Sequence, residues 1–305
     1  MRMSLAPLAI FAALAGAAPA SADDLFALLG YVNPTVFRLD PLTGATLEFH
    51  GVTGQEALFG GLAHDISGQL YSIDGYNDGN PDRLFRIDSS TGAGTVVGPT
   101  NFNWNFRCLS LNPASGVLYG CTDNNLYTMN TVTGAATLIA PISGGTQLDQ
   151  LTALAIDGAG HAYGTDIGDT DLFAINLQTG EATWIASVGQ SNNWYNDLAF
   201  DSAGVLHGAR FNGGVYTINL TTAVETFKFG GSFTGLDFVV PANVCYPNCD
   251  GSTNAPILNV NDFTCFLNKY AAGDSYANCD SSIVPPTLNV NDFTCFLNKY
   301  AAGCP

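Results

Sequence analysis

A Thr-Gly turn returns along this chain with a nearly fixed step. It falls at Gly44, Gly92, Gly134 and Gly180, with Ala223 in the fifth place, at intervals of 48, 42, 46 and 43 residues. Each turn ends a strand-like segment: VFRLDPLTG from Val36, LFRIDSSTG from Leu84, LYTMNTVTG from Leu126, LFAINLQTG from Leu172 and VYTINLTTA from Val215. Ahead of four of these lie LAHD from Leu62, LSLN from Leu109, LAID from Leu154 and LAFD from Leu198, each followed by a further strand: QLYSID, VLYGCT, HAYGTD and VLHGAR. Alternating segments bounded by Gly, Asn, Asp and Thr, with no helical spacing between them, read as strands and turns. The period is that of a four-stranded blade, and five turns predict a five-bladed β-propeller over residues 23–241. The first repeat lacks an LAxD segment, and FTGLDFVV from Phe233 supplies one after the fifth. The ring is therefore expected to shut by joining the two ends of the chain, which leaves no open edge.

Arg2, the apolar run Leu5 to Ala18, and Pro19 with Ala20-Ser21-Ala22 form a basic start, an apolar segment and a small-residue cleavage site. Residues 1–22 are read as a signal peptide cut before Asp23. The run is too short and Ala-rich for a membrane span, and no other segment is long enough. The product is expected to be secreted, either extracellular or attached to a cell surface. The formal net charge is −17, and loss of Arg2 leaves 26 acids against 8 bases, or −18. Such a surface argues against nucleic acid and anionic membranes as partners. Charged residues make up only 11% of the chain and Gly numbers 34, which suits a turn-rich β protein.

The last sixty residues carry a different repeat. LNVNDFTCFLNKYAAG from Leu258 recurs unchanged from Leu288, and NCDGSTNAPILN at Asn248 becomes NCDSSIVPPTLN at Asn278. Each copy opens with oxygen-bearing side chains on alternate positions, Asn248, Asp250 and Ser252, then Asn278, Asp280 and Ser282. Asp262 or Asp292 follows at the expected start of a helix. Phe263, Phe266, Leu267 and Tyr270, and their counterparts Phe293, Phe296, Leu297 and Tyr300, supply the i, i+3, i+4, i+7 stripe, and Gly273 or Gly303 the stop. Oxygen ligands from a loop entering a helix suit a hard cation, Ca2+ before Mg2+. The same residues also read as an Asx-type turn capping a helix.

This stretch, Cys245 to Cys304, resembles a dockerin domain, in particular the cysteine-bearing dockerin-like tails of secreted bacterial proteins. The resemblance implies a small α-helical domain over residues 245–304 with two calcium-loop and helix units. It implies two bound Ca2+ and docking onto a cohesin-type module of a scaffold or surface protein. It adds Asn259 and Asn289 as further ligands and makes Asn268-Lys269 and Asn298-Lys299 the partner-facing residues; these also read as ordinary solvated helix surface. The loops run longer than the twelve-residue EF-hand pattern, contain Pro256 or Pro285-Pro286, and are closed by no Glu.

Eight cysteines agree with an oxidising compartment. Six lie in the tail and allow 15 pairings. Symmetry favours Cys249–Cys265 and Cys279–Cys295, with Cys245–Cys304 clasping the ends. A zinc site is the rival, although the tail has no His and no CxxC pair. Cys108 and Cys121 flank a hairpin centred on Ala114-Ser115 and are expected to form a cross-strand disulfide.

The irregular segments of the ring should gather on one rim. They bring Tyr76, Asp78, Asp82, Trp104, Asp169, Asp171, Trp194 and Tyr195, together with several Asn, into a face suited to sugars, since aromatic rings stack on a pyranose and amides bond its hydroxyls. Packing of both Trp between blades is the competing reading. The residues just before the inner strands are Gly61, Cys108, Ala153, Asp197 and Gly235, so Asp197 alone brings a carboxylate to the axis there. It is a weak catalytic candidate and is better read as pairing with Arg107. The chain is expected to be a non-catalytic binding or scaffold-attached protein, with a carbohydrate or protein as the propeller's ligand. The alternatives are a tethered polysaccharide-degrading enzyme of glycoside-hydrolase type, and a structural surface or matrix protein.

Overall fold

The computed structural model describes residues 23–303 apart from 31–32, 55–57, 59, 75–81, 103–105, 123, 145–147, 169, 189–192, 240–245, 251, 253–255, 257 and 280–285. Blade 1 contains β1 (Asp24–Leu29), β2 (Thr35–Leu39) and β3 (Thr46–Gly51), and blade 2 contains β4 (Ala63–His64), β5 (Leu70–Asp74), β6 (Arg83–Ile87) and β7 (Gly94–Pro99). Blade 3 is β8 (Cys108–Asn112), β9 (Val117–Thr122), β10 (Asn125–Met129) and β11 (Ala136–Pro141). Blade 4 is β12 (Leu151–Ile156), β13 (Ala162–Asp166), β14 (Asp171–Ile175) and β15 (Ala182–Ser187). Blade 5 is β16 (Tyr195–Phe200), β17 (Leu206–Arg210), β18 (Val215–Ile218) and β19 (Glu225–Phe229). The next strand, β20 (Gly235–Val239), returns to blade 1, whose sheet order is β20-β1-β2-β3. The ring thus closes antiparallel, Leu25 facing Phe238 and Ala27 facing Leu236. The inner strands touch in the cycle β4, β8, β12, β16, β20 and back to β4. Five blades and closure by the chain's two ends are as the turn spacing predicted.

The core sits between blades rather than within them. Successive residues of a strand point to opposite faces. In β1, Leu25 and Ala27 pack with Ala209, Val215 and Phe229 of blade 5. The alternate residues Phe26 and Leu28 pack with Leu62, Leu70 and Phe85 of blade 2. Comparable clusters join blades 2 and 3, 3 and 4, and 4 and 5. Cys108 and Cys121 face each other across β8 and β9, form a disulfide, and are buried in the cluster between blades 3 and 4.

The Thr-Gly turns explain why their spacing marks the blades. In each, an Asp or Asn side chain accepts two backbone N–H groups, as Asn130 does from Val132 (2.9 Å) and Thr133 (2.9 Å). The Gly four residues later has positive φ, and at Gly134 (φ 78°) an added Cβ would lie 2.3 Å from the carbonyl oxygen of Gly98. Gly92 and Gly180 meet Gly51 and Pro141 of the preceding blade in the same way. At these three turns one blade's backbone rests on the next, and only glycine fits both demands; the fifth turn holds Ala223 at φ 53°.

The tail contains α1 (Val260–Ala272) and α2 (Val290–Ala302). Phe266 and Phe296 stack at 4.2 Å in its centre, and the flanking disulfides are Cys249–Cys265 and Cys279–Cys295. Cys245 and Cys304 lie outside the described residues. Leu267 and Leu297, assigned to the buried stripe, are instead 38% and 50% exposed. The stripe is narrower than expected because the partner helix is met mainly by aromatic rings, among them Phe263, Phe293 and Tyr300. Three disulfides are those of an extracellular or secreted protein. No helix among the described residues is long and apolar enough to cross a membrane.

Candidate functional site

Three places gather chemistry: the rim of the ring, its axis, and the loops of the tail. On the rim, Tyr76, Asp78, Trp104 and Asp169 lie outside the described residues. Trp194 stacks on Phe211 with ring centroids 4.3 Å apart, and Phe211 is 41% exposed, so the pair forms a flat apolar platform on blade 5. Tyr195 is a correction to the expected face. As the first residue of β16 it points into the blade, is fully buried, and donates its hydroxyl to Glu225 Oε2 at 2.6 Å. Burial pushes its phenol well above the ordinary range, and the Glu225 hydrogen bond adds to the rise.

The residue that organises this corner is Arg210, which the sequence reading did not single out. It is 1% exposed, with its guanidinium 4.8 Å from the Tyr195 ring centroid and 5.2 Å from that of Tyr216. Its Nε donates to Glu225 Oε2 at 2.8 Å and its Nη1 to the Asn193 carbonyl at 2.5 Å. A buried, ring-flanked Arg held by a carboxylate and a carbonyl is a rigid anchor, and here it fixes the loop that carries Trp194. The signal was present: VLHGAR ends in Arg where QLYSID, VLYGCT and HAYGTD end in Asp or Thr.

That strand-end position differs from blade to blade. In blade 2, Asp74 faces Arg83, whose Nε lies 2.6 Å from Asp74 Oδ2. In blade 3, Thr122 faces Asn125. In blade 4, the Asp171 N–H donates to Asp166 Oδ1 at 2.9 Å, and the Asp149 N–H donates to Asp166 Oδ2 at 3.2 Å. Burial pushes the Asp166 carboxyl up, and the charges of Asp171 and Asp149 add to the rise.

On the axis, Asp197 is fully buried and acts as a strut. Its Oδ2 accepts the N–H groups of Leu62 (2.8 Å) and Leu236 (2.9 Å), and its Oδ1 that of Leu198 (3.0 Å). Three blades thus converge on one carboxylate, in place of the expected pairing with Arg107. A Cβ on Gly61 (φ 73°) would come within 3.2 Å of both carboxylate oxygens, which accounts for the small residue there. Burial drives the Asp197 carboxyl well up, against the pull of its three amide donors. Nearby, His64 Nδ1 lies 2.7 Å from Asp237 Oδ2.

In the tail, Asn259 and Asn289 are the helix N-caps. Their side chains accept the N–H groups of Asn261 and Asn291 at 2.8 Å, and each is one half of a capping box. These are the side chains expected as further cation ligands. Asp262 and Asp292 are the other halves, both fully buried. Asp262 Oδ2 accepts the Asn259 N–H at 2.7 Å and Oδ1 the Asp250 N–H at 3.2 Å. The Asp250 carboxyl is within hydrogen-bonding reach of Asp262, and the Ser252 N–H, chief among its donors, holds it below the usual range. Asn248 bonds the Ser252 carbonyl at 2.8 Å and its hydroxyl at 3.3 Å. Among the described residues no group of three or more His, Cys, Asp or Glu is placed to hold a metal ion. Asp280 and Ser282 lie outside the described residues, and Asn278 lies within them. Lys269 and Lys299 cover the rings of Tyr276 and Tyr246, at 4.5 and 4.4 Å, while Asn268 and Asn298 are exposed.

A family model described as a repeat of unknown function, DUF6923, matches residues 71–238, and the chain belongs to that family. The match lies within the ring and covers most of blades 2 to 5. No curated protein matches the sequence. Among solved structures, a chain of the crystal structure of a nidogen/laminin complex is similar with a TM-score of 0.50 at 12% identity, covering 71% of this chain and 99% of that one. At that identity the likeness concerns the fold.

Proposed function

We propose that this DUF6923 protein is a secreted, non-catalytic binding protein: the ring presents a ligand face, and the C-terminal doublet docks with calcium onto a cohesin-type module. The carrying observation is the pair of buried carboxylates, Asp262 and Asp292, each in the first turn of a helix that follows an Asn-Cys-Asp segment in the sequence. Asp262 has two backbone donors and no cationic partner among the described residues, and a second carboxylate, Asp250, stands beside it. Two acids so placed repel unless a positive charge joins them. Hard oxygens with that deficit fit Ca2+. Asn248, Asp250, Ser252 and Asp262 would hold one ion, and Asn278, Asp280, Ser282 and Asp292 the other, the metal supplying charge neutralisation and loop order.

The docking surface follows from what the two helices leave outside. Val260, Leu267 and Asn268 of α1 are exposed, and so are Val290, Leu297 and Asn298 of α2. The Trp194–Phe211 platform supports a carbohydrate as the ring's ligand. The polysaccharide-degrading alternative would need carboxylates free to meet a substrate, and Asp197 is bound by backbone donors from three blades.

The test of the tether is a pull-down of the full chain against a panel of cohesin modules, with calcium and with EDTA. Capture that calcium supports and EDTA abolishes is the expected result. Capture indifferent to EDTA, or none by any module, defeats the reading.

A further inference from the structure

The rim corner of blade 5 offers rings and uncharged polar groups, where blades 2 and 4 offer charges. Its β17–β18 hairpin turns through Gly213 (φ 96°) and Gly214 (φ 94°) and carries Phe211 and Asn212 exposed at its tip. The Phe211 N–H donates to the Trp194 carbonyl at 2.9 Å, so the backbone itself sets the two rings face to face, with 22° between their planes. The Asn212 N–H donates to Asn193 Oδ1 at 3.2 Å, which joins the hairpin tip to the loop a second time. A Cβ on Gly213 would lie 3.1 Å from Ser232 Oγ, so an exposed hydroxyl also stands beside the tip. Asn193 Nδ2, the Asn212 side-chain amide and the Ser232 hydroxyl have no hydrogen-bond partner among the described residues.

The charges of this corner are engaged inside the fold. Arg210 is buried and held by Glu225 and the Asn193 carbonyl, and Glu225 Oε2 also takes the Tyr195 hydroxyl. Beyond it, the same rim of blade 4 carries Asp149, Asp166 and Asp171, and the whole chain has a formal net charge of −17. An anionic ligand would therefore meet repulsion and no free cation at the platform. We infer that the Trp194–Phe211 platform binds one pyranose unit of an uncharged polysaccharide. The paired rings stack on the apolar face of the sugar, and Asn193, Asn212 and Ser232 bond its hydroxyls. An apolar peptide side chain would cover those three polar groups without pairing them. The inference rests on the carbohydrate reading of the ring and narrows it to neutral glycans. Hairpin and loop are already bonded to each other and to Arg210, so binding need order no further backbone.

The experiment is isothermal titration of the full chain with β-glucan, galactomannan and dextran, which are uncharged, and with alginate and polygalacturonate, which are anionic. At least one uncharged glycan should bind, with the same affinity at about 0.05 and 0.5 M NaCl, because no charge pair is there to be screened. Phe211 is 41% exposed, so Phe211→Ala should keep the wild-type melting temperature and weaken that binding about tenfold or more. Should Phe211→Ala lower the melting temperature, Asn212→Ala removes only an exposed amide and must weaken the same binding instead. Binding confined to alginate or polygalacturonate overturns the inference and leaves a carbohydrate as the ring's ligand. Binding to no polysaccharide removes the inference and the carbohydrate reading together. A neutral glycan held as tightly by the folded variant as by wild type puts the site elsewhere and overturns the inference equally.

Discussion

Replacing Asp197 by Ala removes the one side chain that three blades share. The two cross-blade acceptor bonds, to Leu62 at 2.8 Å and Leu236 at 2.9 Å, would leave two N–H groups buried without partners. Each such loss costs about 1–3 kcal/mol. The third bond, from the adjacent Leu198 at 3.0 Å, is local and contributes less. Against this, the variant no longer buries a carboxyl whose burial pushes its pKa well up, which returns about 1–2 kcal/mol. The net expectation is a loss of roughly 2–4 kcal/mol, or about 5–15 °C in melting temperature for a domain of this size. The assay is chemical and thermal unfolding followed by far-UV circular dichroism, with near-UV spectra confirming that the variant keeps its packing. Since Leu62 belongs to the segment entering blade 2 and Leu236 to the closing strand, the loss should appear chiefly as faster unfolding of the ring seam. A change under about 0.5 kcal/mol would refute the strut and reopen Asp197 as a group kept for chemistry.

Other expectations follow from the same geometry. Gly134→Ala, with φ 78° and a Cβ 2.3 Å from the Gly98 carbonyl oxygen, should destabilise by more than about 2 kcal/mol. Ala223→Gly should shift unfolding by less than about 1 kcal/mol, because Ala223 already adopts φ 53° in the fifth turn. Removing the buried Cys108–Cys121 bridge as a double Ala variant should cost about 2–3 kcal/mol in urea unfolding, given its separation of 13 residues. Burial lowers the His64 pKa, but the Asp237 carboxylate outweighs it and the net shift is upward. The stability from that pair is complete below the unfolded value of about 6.5 and is lost as pH rises through the folded value. Burial lowers the His207 pKa outright, so its contribution is lost as pH falls below about 6.5. His64→Gln should therefore remove the stability that the wild type gains as pH falls through the folded His64 value to about 6.5, and leave the His207 loss below about 6.5 in place; melting curves that keep the wild-type profile above about pH 6.5 would contradict the His64–Asp237 pairing.

The ring was legible because its repeat is written in residues with a steric reason to recur. A Gly at positive φ packed on the next blade's backbone cannot be exchanged cheaply, so the Thr-Gly step recurs in four of the five turns where the blades' other letters differ. Closure was legible for the same kind of reason: an inner-strand pattern missing at Val36 and surplus at Phe233 has one solution. The rim was not legible to the same degree. Tyr195 and Trp194 are neighbours in sequence with the same preference for interfaces, and strand alternation sends one inward and the other out. Only the position of β16 decides which. Arg210 was overlooked because a lone basic residue in an acidic chain reads as surface, whereas its two carbonyl and carboxylate acceptors come from Asn193 and Glu225, far apart in the sequence.

The tail shows how one set of residues can satisfy two readings at once. An Asx turn with a capped helix and a cation loop ask for the same Asn, Asp and Ser spacing, and the structure displays the first in full: Asn259 caps α1 and Asp262 returns the bond. Capping alone does not require Asp262 to be wholly buried, nor Asp250 to reach it, because a capping acid is equally effective in water. Nor does it account for the lysines. Lys269 and Lys299 lie over Tyr276 and Tyr246, whose rings stack at 4.8 Å across the pseudo-symmetric centre. They brace the two halves against each other and leave Asn268 and Asn298 beside Leu267 and Leu297 as the exposed face. Substituting Lys269 should therefore loosen the doublet, whereas substituting Leu267 and Leu297 together should leave its melting unchanged and, on the proposed docking, abolish capture by a cohesin module. Melting that falls with the leucine pair would assign that face to the doublet's own packing and take away the docking surface.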